Sequence, residues 1–173
     1  MIIILLYILS ILVANIITGS FAPITIGLFI IPCGTLFIGA SFVLRDLVQN
    51  KYGKKKTYYY ILIALIISCL FSFTSGDIFY ITIASGLAFI VSETVDTEIY
   101  SRVKSAMHKR VIYSGIFGGI LDSTIFVIIG LSPLTTGIIA WSLILYAIVG
   151  QIVVKIIMQF IGAGIIYKFN KQN

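Results

Sequence analysis

Apolar runs of membrane-crossing length follow one another along this chain with almost no polar sequence between them. They cover Ile2–Ile17, Ile24–Leu44 (interrupted at Pro32), Thr57–Ser75, Ile78–Val91, Ile112–Leu131 and Ile138–Ile166. A bilayer core needs about 20 apolar residues per helix. The fourth run is short, and its helix is expected to continue through Ser92, Glu93 and Asp96 to about Tyr100. The sixth is long enough to tilt. The first run lacks a basic leader and a small-residue cleavage site, so it reads as a span and not as a removed signal peptide. Composition supports the same reading. The 173 residues are 60% hydrophobic and only 10% charged, against about 25% charged in soluble domains. An ordinary soluble enzyme, a disordered tail and a nucleic-acid-binding domain are excluded on that ground.

The basic residues give the orientation. Arg45, Lys51 and Lys54 to Lys56 fall between spans two and three, and Arg102, Lys104, Lys109 and Arg110 between spans four and five. Lys168 and Lys171 follow span six. The opposite loops, around Thr18–Pro23, Ser75–Asp77 and Ser132–Thr136, contain no Lys or Arg. Positive loops stay in the cytoplasm. The expected fold is an all-α membrane protein, a bundle of six transmembrane helices with both termini cytoplasmic. It forms one domain over residues 1–173 of a multi-pass protein in the cytoplasmic membrane. Cys33 and Cys69 lie in apolar runs and read as packing residues, with no metal or disulfide pattern. His108 stands in a basic loop and is expected in solvent.

Several charges fall where lipid does not tolerate them. A charge at the bilayer centre costs at least ~3 kcal/mol, so such groups face the bundle interior and find partners. At ~1.5 Å per residue, Asp122 lies about 15 Å and Lys155 roughly 17 Å from the cytoplasmic side. Glu93 and Asp96 are shallower, and Asn15 is in the middle or outer half of span one. Helical spacing gathers these groups into stripes. Gly115, Gly118, Gly119, Asp122 and Phe126 share one on span five; Gln151, Lys155 and Gln159 share one on span six; Phe89, Ser92 or Glu93, Asp96 and Tyr100 share one on span four. Gly115 and Gly119 also form a GxxxG pair, which permits close helix approach. Three polar stripes suggest one polar interior with apolar backs toward lipid. Bland readings stand beside this one. Glu93 and Asp96 at headgroup level, Asp122 and Lys155 as a structural ion pair, and Asn15 and Gln159 as interhelical hydrogen bonds would each satisfy the pattern. Arg45 and Asp46, at a helix end, suit a cap or a gate hinge equally.

An interior of Asp, Glu, Lys, Asn, Gln and aromatics suits a flat, polar, nearly neutral solute. A carboxylate can accept two hydrogen bonds from the N1–H and 2-amino edge of a guanine-like base, while an aromatic ring stacks on its face. An amino acid, a vitamin or a proton path would use the same groups. No phosphate-binding loop, HExxH or nucleophile elbow occurs, which argues against a membrane enzyme and against ATP hydrolysis by this chain.

Ordered through the chain are AN at 14–15, LRDLVQNKYG at 44–53, SGLAFIVSETVDTEIY at 85–100, LDSTIF at 121–126 and GQIVVK at 150–155. In that order they resemble the vitamin uptake transporter family, which includes the queuosine precursor transporters. The chain is similar to the short form of the family found in actinobacteria and phages. The resemblance implies uptake of 7-deazaguanine bases, chiefly 7-cyano-7-deazaguanine and 7-aminomethyl-7-deazaguanine, with no cofactor. Carried over by position, Asn15, Glu93, Asp96, Asp122, Gln151 and Lys155 are the expected substrate-binding residues. Arg45, Asp46 and Gln159 are expected to be gate or structural residues. The expected partners are a purine-like small molecule and the lipid bilayer, without nucleic acid, and a homo-oligomer is compatible. The alternative is a substrate-binding subunit of a vitamin importer that requires an ATPase module, the less favoured partner.

Overall fold

Six helices form among the described residues. The computed structural model describes the backbone of residues 2–74 and 79–172, and side chains over the same residues except 19, 71–74, 79–82 and 169–172. Helix α1 spans Ile2–Ser20, α2 Thr35–Tyr52, α3 Lys54–Thr74, α4 Phe79–Arg102, α5 Met107–Ile125 and α6 Trp141–Gln172. The expected outer loop at Ser75–Asp77 and the start of span four at Ile78 lie outside the described residues, as does the side chain of Lys171. The segments Met107–Leu131 and Trp141–Lys168 are long and apolar enough to cross a membrane, and Ile2–Thr18 is a shorter apolar helix.

The bundle is apolar outside and polar inside. Leu5, Leu9, Leu62, Ile66, Leu87, Phe117, Leu145, Ile157 and Phe160 stand exposed on five helices, while Arg45, Asp46, Glu93, Asp96, Lys155 and Gln159 are all buried. A water-soluble domain has the opposite arrangement, because buried charges there are exceptional. In hydrocarbon, apolar backs cost nothing and every polar group must be satisfied within the protein. Three apolar clusters hold the bundle between its polar layers. Tyr7, Ile11, Ile61, Ala64 and Phe89 join α1, α3 and α4. Tyr100, Val111, Ala163 and Ile166 close the end near the α4–α5 loop. The third cluster, which includes Val127, Leu131, Ile144 and Ala147, closes the opposite end.

The second run, expected as a span from Ile24 to Leu44 interrupted at Pro32, is not helical before the interruption. Its helix begins only at Thr35, and an antiparallel hairpin precedes it: β1 (Ile24–Ile26) pairs with β2 (Phe29–Ile31), Ile24 opposite Ile31. Pro32 lacks an N–H and keeps Ile31 out of the helical region. The β-branched residues Ile24, Thr25, Ile26, Ile30 and Ile31 suit strands. Gly27, at φ +60°, supplies the first central position of the two-residue turn. The hairpin lies against α6 at Gly150, where an added Cβ would come within 3.2 Å of Phe29 and Ile31. Gly34 lets the chain enter α2 beside α1, because any side chain there would overlap the Ala14 carbonyl and Thr18.

The π-helical turn Phe126–Leu131 continues α5. Such widened turns are rare and concentrate at functional sites. At the other end of the bundle, Arg110 stacks over Tyr100 at 3.9 Å and donates from Nε to the Tyr100 carbonyl at 2.9 Å, tying α5 to α4. His108, expected in solvent, is half-buried with its ring edge-on to Tyr167 at 5.0 Å. Glu98 meets Lys54 and Tyr58 at 2.8 Å on the surface, contacts of the exposed kind that add little stability.

Candidate functional site

The charged and amide side chains of the interior separate into two groups, one lining a cavity and one packed shut. The cavity encloses about 650 Å³ of empty space when its open mouth is included. Asn15, Phe89, Asp122, Phe126, Gln151 and Lys155 line it, with Pro32, Thr35, Ser68 and Ser85. Every helix from α1 to α6 therefore contributes.

Asp122 and Lys155 form its charged wall. Lys155 Nζ lies 2.5 Å from Asp122 Oδ2 and also donates to Ser123 Oγ at 2.7 Å and to Gln151 Oε1 at 3.3 Å. Ser92 Oγ donates to the other carboxylate oxygen, Asp122 Oδ1, at 3.4 Å. The lysine thereby fixes the orientation of the Gln151 amide. Its oxygen is engaged, and its buried Nε2 has no partner among the described residues. That amide group is a donor available to a solute beside a carboxylate acceptor. Asn15 bridges three helices, donating from Nδ2 to Ser68 Oγ of α3 and accepting from Ser85 Oγ of α4 at 3.3 Å. Phe89 and Phe126 add aromatic surface from α4 and from the π-turn.

Glu93 and Asp96 do not line this cavity. They join Arg45 and Asp46 in a second group, every member fully buried. Arg45 Nη2 is 2.6 Å from Asp46 Oδ1 and also pairs with Asp96 Oδ2; Nη1 lies 3.2 Å from Glu93 Oε2. Nε donates again to Asp46 Oδ1 at 3.1 Å, and Nη1 to the Glu93 carbonyl at 3.3 Å. One planar guanidinium thus ties α2 to α4 in a geometry that an ammonium cannot reproduce. Two further helices attach to the group. Tyr7 of α1 donates to Glu93 Oε2 at 3.2 Å, and Ser114 of α5 to Asp46 Oδ2 at 3.3 Å. One turn further along α2, Gln49 donates to Ser101 Oγ at 2.8 Å and to the Thr97 carbonyl at 3.3 Å.

The glycines of α5 explain how these side chains fit. A Cβ at Gly118 would lie 2.9 Å from Asp96 Oδ2, and one at Gly119 would lie 3.4 Å from Lys155 Cβ. Gly115 faces Gln159, whose side chain occupies the space a Cβ would take. Gln159 is fully buried, and its amide atoms have no hydrogen-bond partner among the described residues. The GxxxG pair therefore houses polar side chains of α6, and Gly118 houses one of α4, in addition to bringing helices together. Ser92 falls on the polar stripe of span four, but its bond to Asp122 is not foreseen there, and Tyr7, Ser114 and Ser123 escape assignment from sequence. Tyr7 carries a hydroxyl inside an otherwise apolar first run, which is a readable signal. The three serines resemble any other small residue in a membrane helix.

Residues 32–169 match a family model described as "Putative vitamin uptake transporter". The match takes in α2 to α6 and all the interior charges just described. No curated protein and no solved structure matches the chain.

Proposed function

Because this chain belongs to the vitamin uptake transporter family, a family of membrane transporters for small molecules, we propose that it imports a 7-deazaguanine base, 7-cyano-7-deazaguanine or 7-aminomethyl-7-deazaguanine, across the cytoplasmic membrane. In this reading all six helices span the membrane, α2 and α4 carry their charges inward, and both termini face the cytoplasm. The basic residues from Lys51 to Lys56 and from Arg102 to Arg110 support that orientation; Arg45, expected among them, is instead buried within α2.

The observation that carries the ligand assignment is the polar wall of the cavity. Asp122 keeps lone pairs free for the N–H and amino edge of the base. The oriented Gln151 Nε2 donates to a ring acceptor or carbonyl. Phe89 and Phe126 cover an aromatic face. Asn15 shapes the wall from α1 and α3. The Arg45 group, toward the cytoplasmic ends of α2 and α4, is the closed inner gate, and Gln159 packs beside it. Import proceeds when the base enters the cavity from outside, the gate contacts separate, and the base leaves inward.

A binding measurement on the purified protein tests the assignment. Labelled 7-cyano-7-deazaguanine should bind saturably and be displaced by the aminomethyl compound. Gln151→Leu, which deletes the free amide donor, should weaken binding about tenfold, since a hydrogen bond in such a site contributes about 0.5–1.5 kcal/mol. Unchanged affinity in that variant would remove Gln151 from the site. Absence of saturable binding to the wild type would remove the ligand.

A further inference from the structure

The Arg45 group holds one guanidinium against three carboxylates, and all four side chains are fully buried. Asp46 is well compensated: Oδ1 takes two guanidinium N–H bonds and Oδ2 the Ser114 hydroxyl. Asp96 is in ion-pair contact with the same guanidinium. Glu93 makes the longest of the three ion pairs, 3.2 Å through one nitrogen, with the Tyr7 hydroxyl on the same oxygen; its Oε1, like Asp96 Oδ1, is buried with no hydrogen-bond partner among the described residues. With three buried carboxylates sharing one guanidinium, the excess negative charge is relieved when one of them takes up a proton.

We propose that Glu93 carries a proton while the inner gate is closed and releases it to the cytoplasm when the gate opens, so that import of the base is coupled to proton entry. This inference rests on the import reading given above.

The surroundings of Glu93 fit that role. Tyr7 of α1, Arg45 and Asp46 of α2, Asp96 on its own helix and Asp122 of α5 are the titratable groups that act on it. Tyr58 of α3 packs against the Tyr7 cluster beside it. From α6, Lys155 reaches this region only through Asp122. Carboxylates outnumber cations in this set, so a neutral Glu93 relieves repulsion in the closed gate. When α2 and α4 separate, water reaches the group. The Glu93 O–H bond then breaks, the proton passes to water on the cytoplasmic side, and the carboxylate left behind is solvated and faces Arg45. Reloading occurs from the cavity side. Ser92, the residue preceding Glu93, is hydrogen-bonded to Asp122 in the cavity wall.

The test uses the full chain purified into liposomes, with labelled 7-cyano-7-deazaguanine as probe. Without a gradient the base should only equilibrate. With the outside one pH unit more acid it should accumulate about tenfold, the ratio that one coupled proton supports. A pH dye inside should report acidification when unlabelled base is added. Glu93→Gln should equilibrate the base without accumulating it and without acidification. Wild-type accumulation driven by a sodium gradient and indifferent to pH overturns the proposal, as does equilibration that no pH gradient can drive uphill. If the wild type does not even equilibrate the base, the import reading is what has failed. The proton is then read directly by infrared spectroscopy. At neutral pH the wild type should show the carbonyl stretch of a protonated buried carboxyl, shifted in deuterated water and lost in Glu93→Gln. Absence of that band overturns the proposal independently of any substrate.

Discussion

Asp122→Asn should abolish uptake of the base while the protein still inserts in the membrane. The carboxylate is the charged acceptor of the cavity wall, and it balances Lys155 at 2.5 Å. Replacing it with an amide leaves a buried ammonium facing a neutral group. Removing one partner of a buried pair costs about 3–5 kcal/mol. A change of that size corresponds to more than ~100-fold in the folded-to-unfolded ratio, at 1.36 kcal/mol per tenfold. Stability alone would not distinguish a transport residue from a structural ion pair, so the double variant decides. Asp122→Leu with Lys155→Met removes both charges and should recover most of the thermal stability, as neutral replacements of buried pairs often do. It should still fail to transport. Uptake in the double variant near the wild-type rate would make the pair purely structural.

Arg45→Leu should have the larger effect on the folded protein. It strips the common partner from Asp46, Glu93 and Asp96 at once, each fully buried. Loss of at least about 3–5 kcal/mol is expected, read as loss of monodisperse, detergent-extractable protein at neutral pH. Arg45→Lys should be intermediate, because an ammonium keeps the charge but cannot serve three carboxylates through a planar fork. A fully stable Arg45→Leu protein would mean that the three carboxylates are accommodated without it, and the gate assignment would go with it.

The parts of the fold that lie in long apolar runs can be read from the chain. The apolar runs marked the helices because 3.6-residue periodicity is weak in lipid but length is not. The pairing of Asp122 with Lys155 is one of the alternatives the sequence offers, because a membrane charge needs a countercharge, and the structure shows it. Residues 24–31 misled for a definite reason. A short apolar run of Ile, Thr and Phe has the same hydropathy as strand or helix, and only Gly27 and Pro32 marked the difference. Depth along a helix was legible too, but not which neighbour a side chain meets at that depth. Glu93 and Asp96 sit on the same face of α4 as Phe89, yet only Phe89 reaches the cavity, because Arg45 crosses from α2 and takes both carboxylates. The π-turn at Phe126–Leu131 left no readable pattern. The work of Gly115, Gly118 and Gly119 as room for Gln159, Asp96 and Lys155 depends on helices far away in sequence.

The most direct measurement is queuosine in the tRNA of a bacterium that lacks both its own deazaguanine synthesis and its own transporter, expresses this chain, and is fed 7-cyano-7-deazaguanine at a concentration too low for passive entry. Restored queuosine, lost again in Asp122→Asn at equal expression, is the predicted result. Unmodified tRNA, with the wild-type protein inserted and folded in the membrane, would contradict the account.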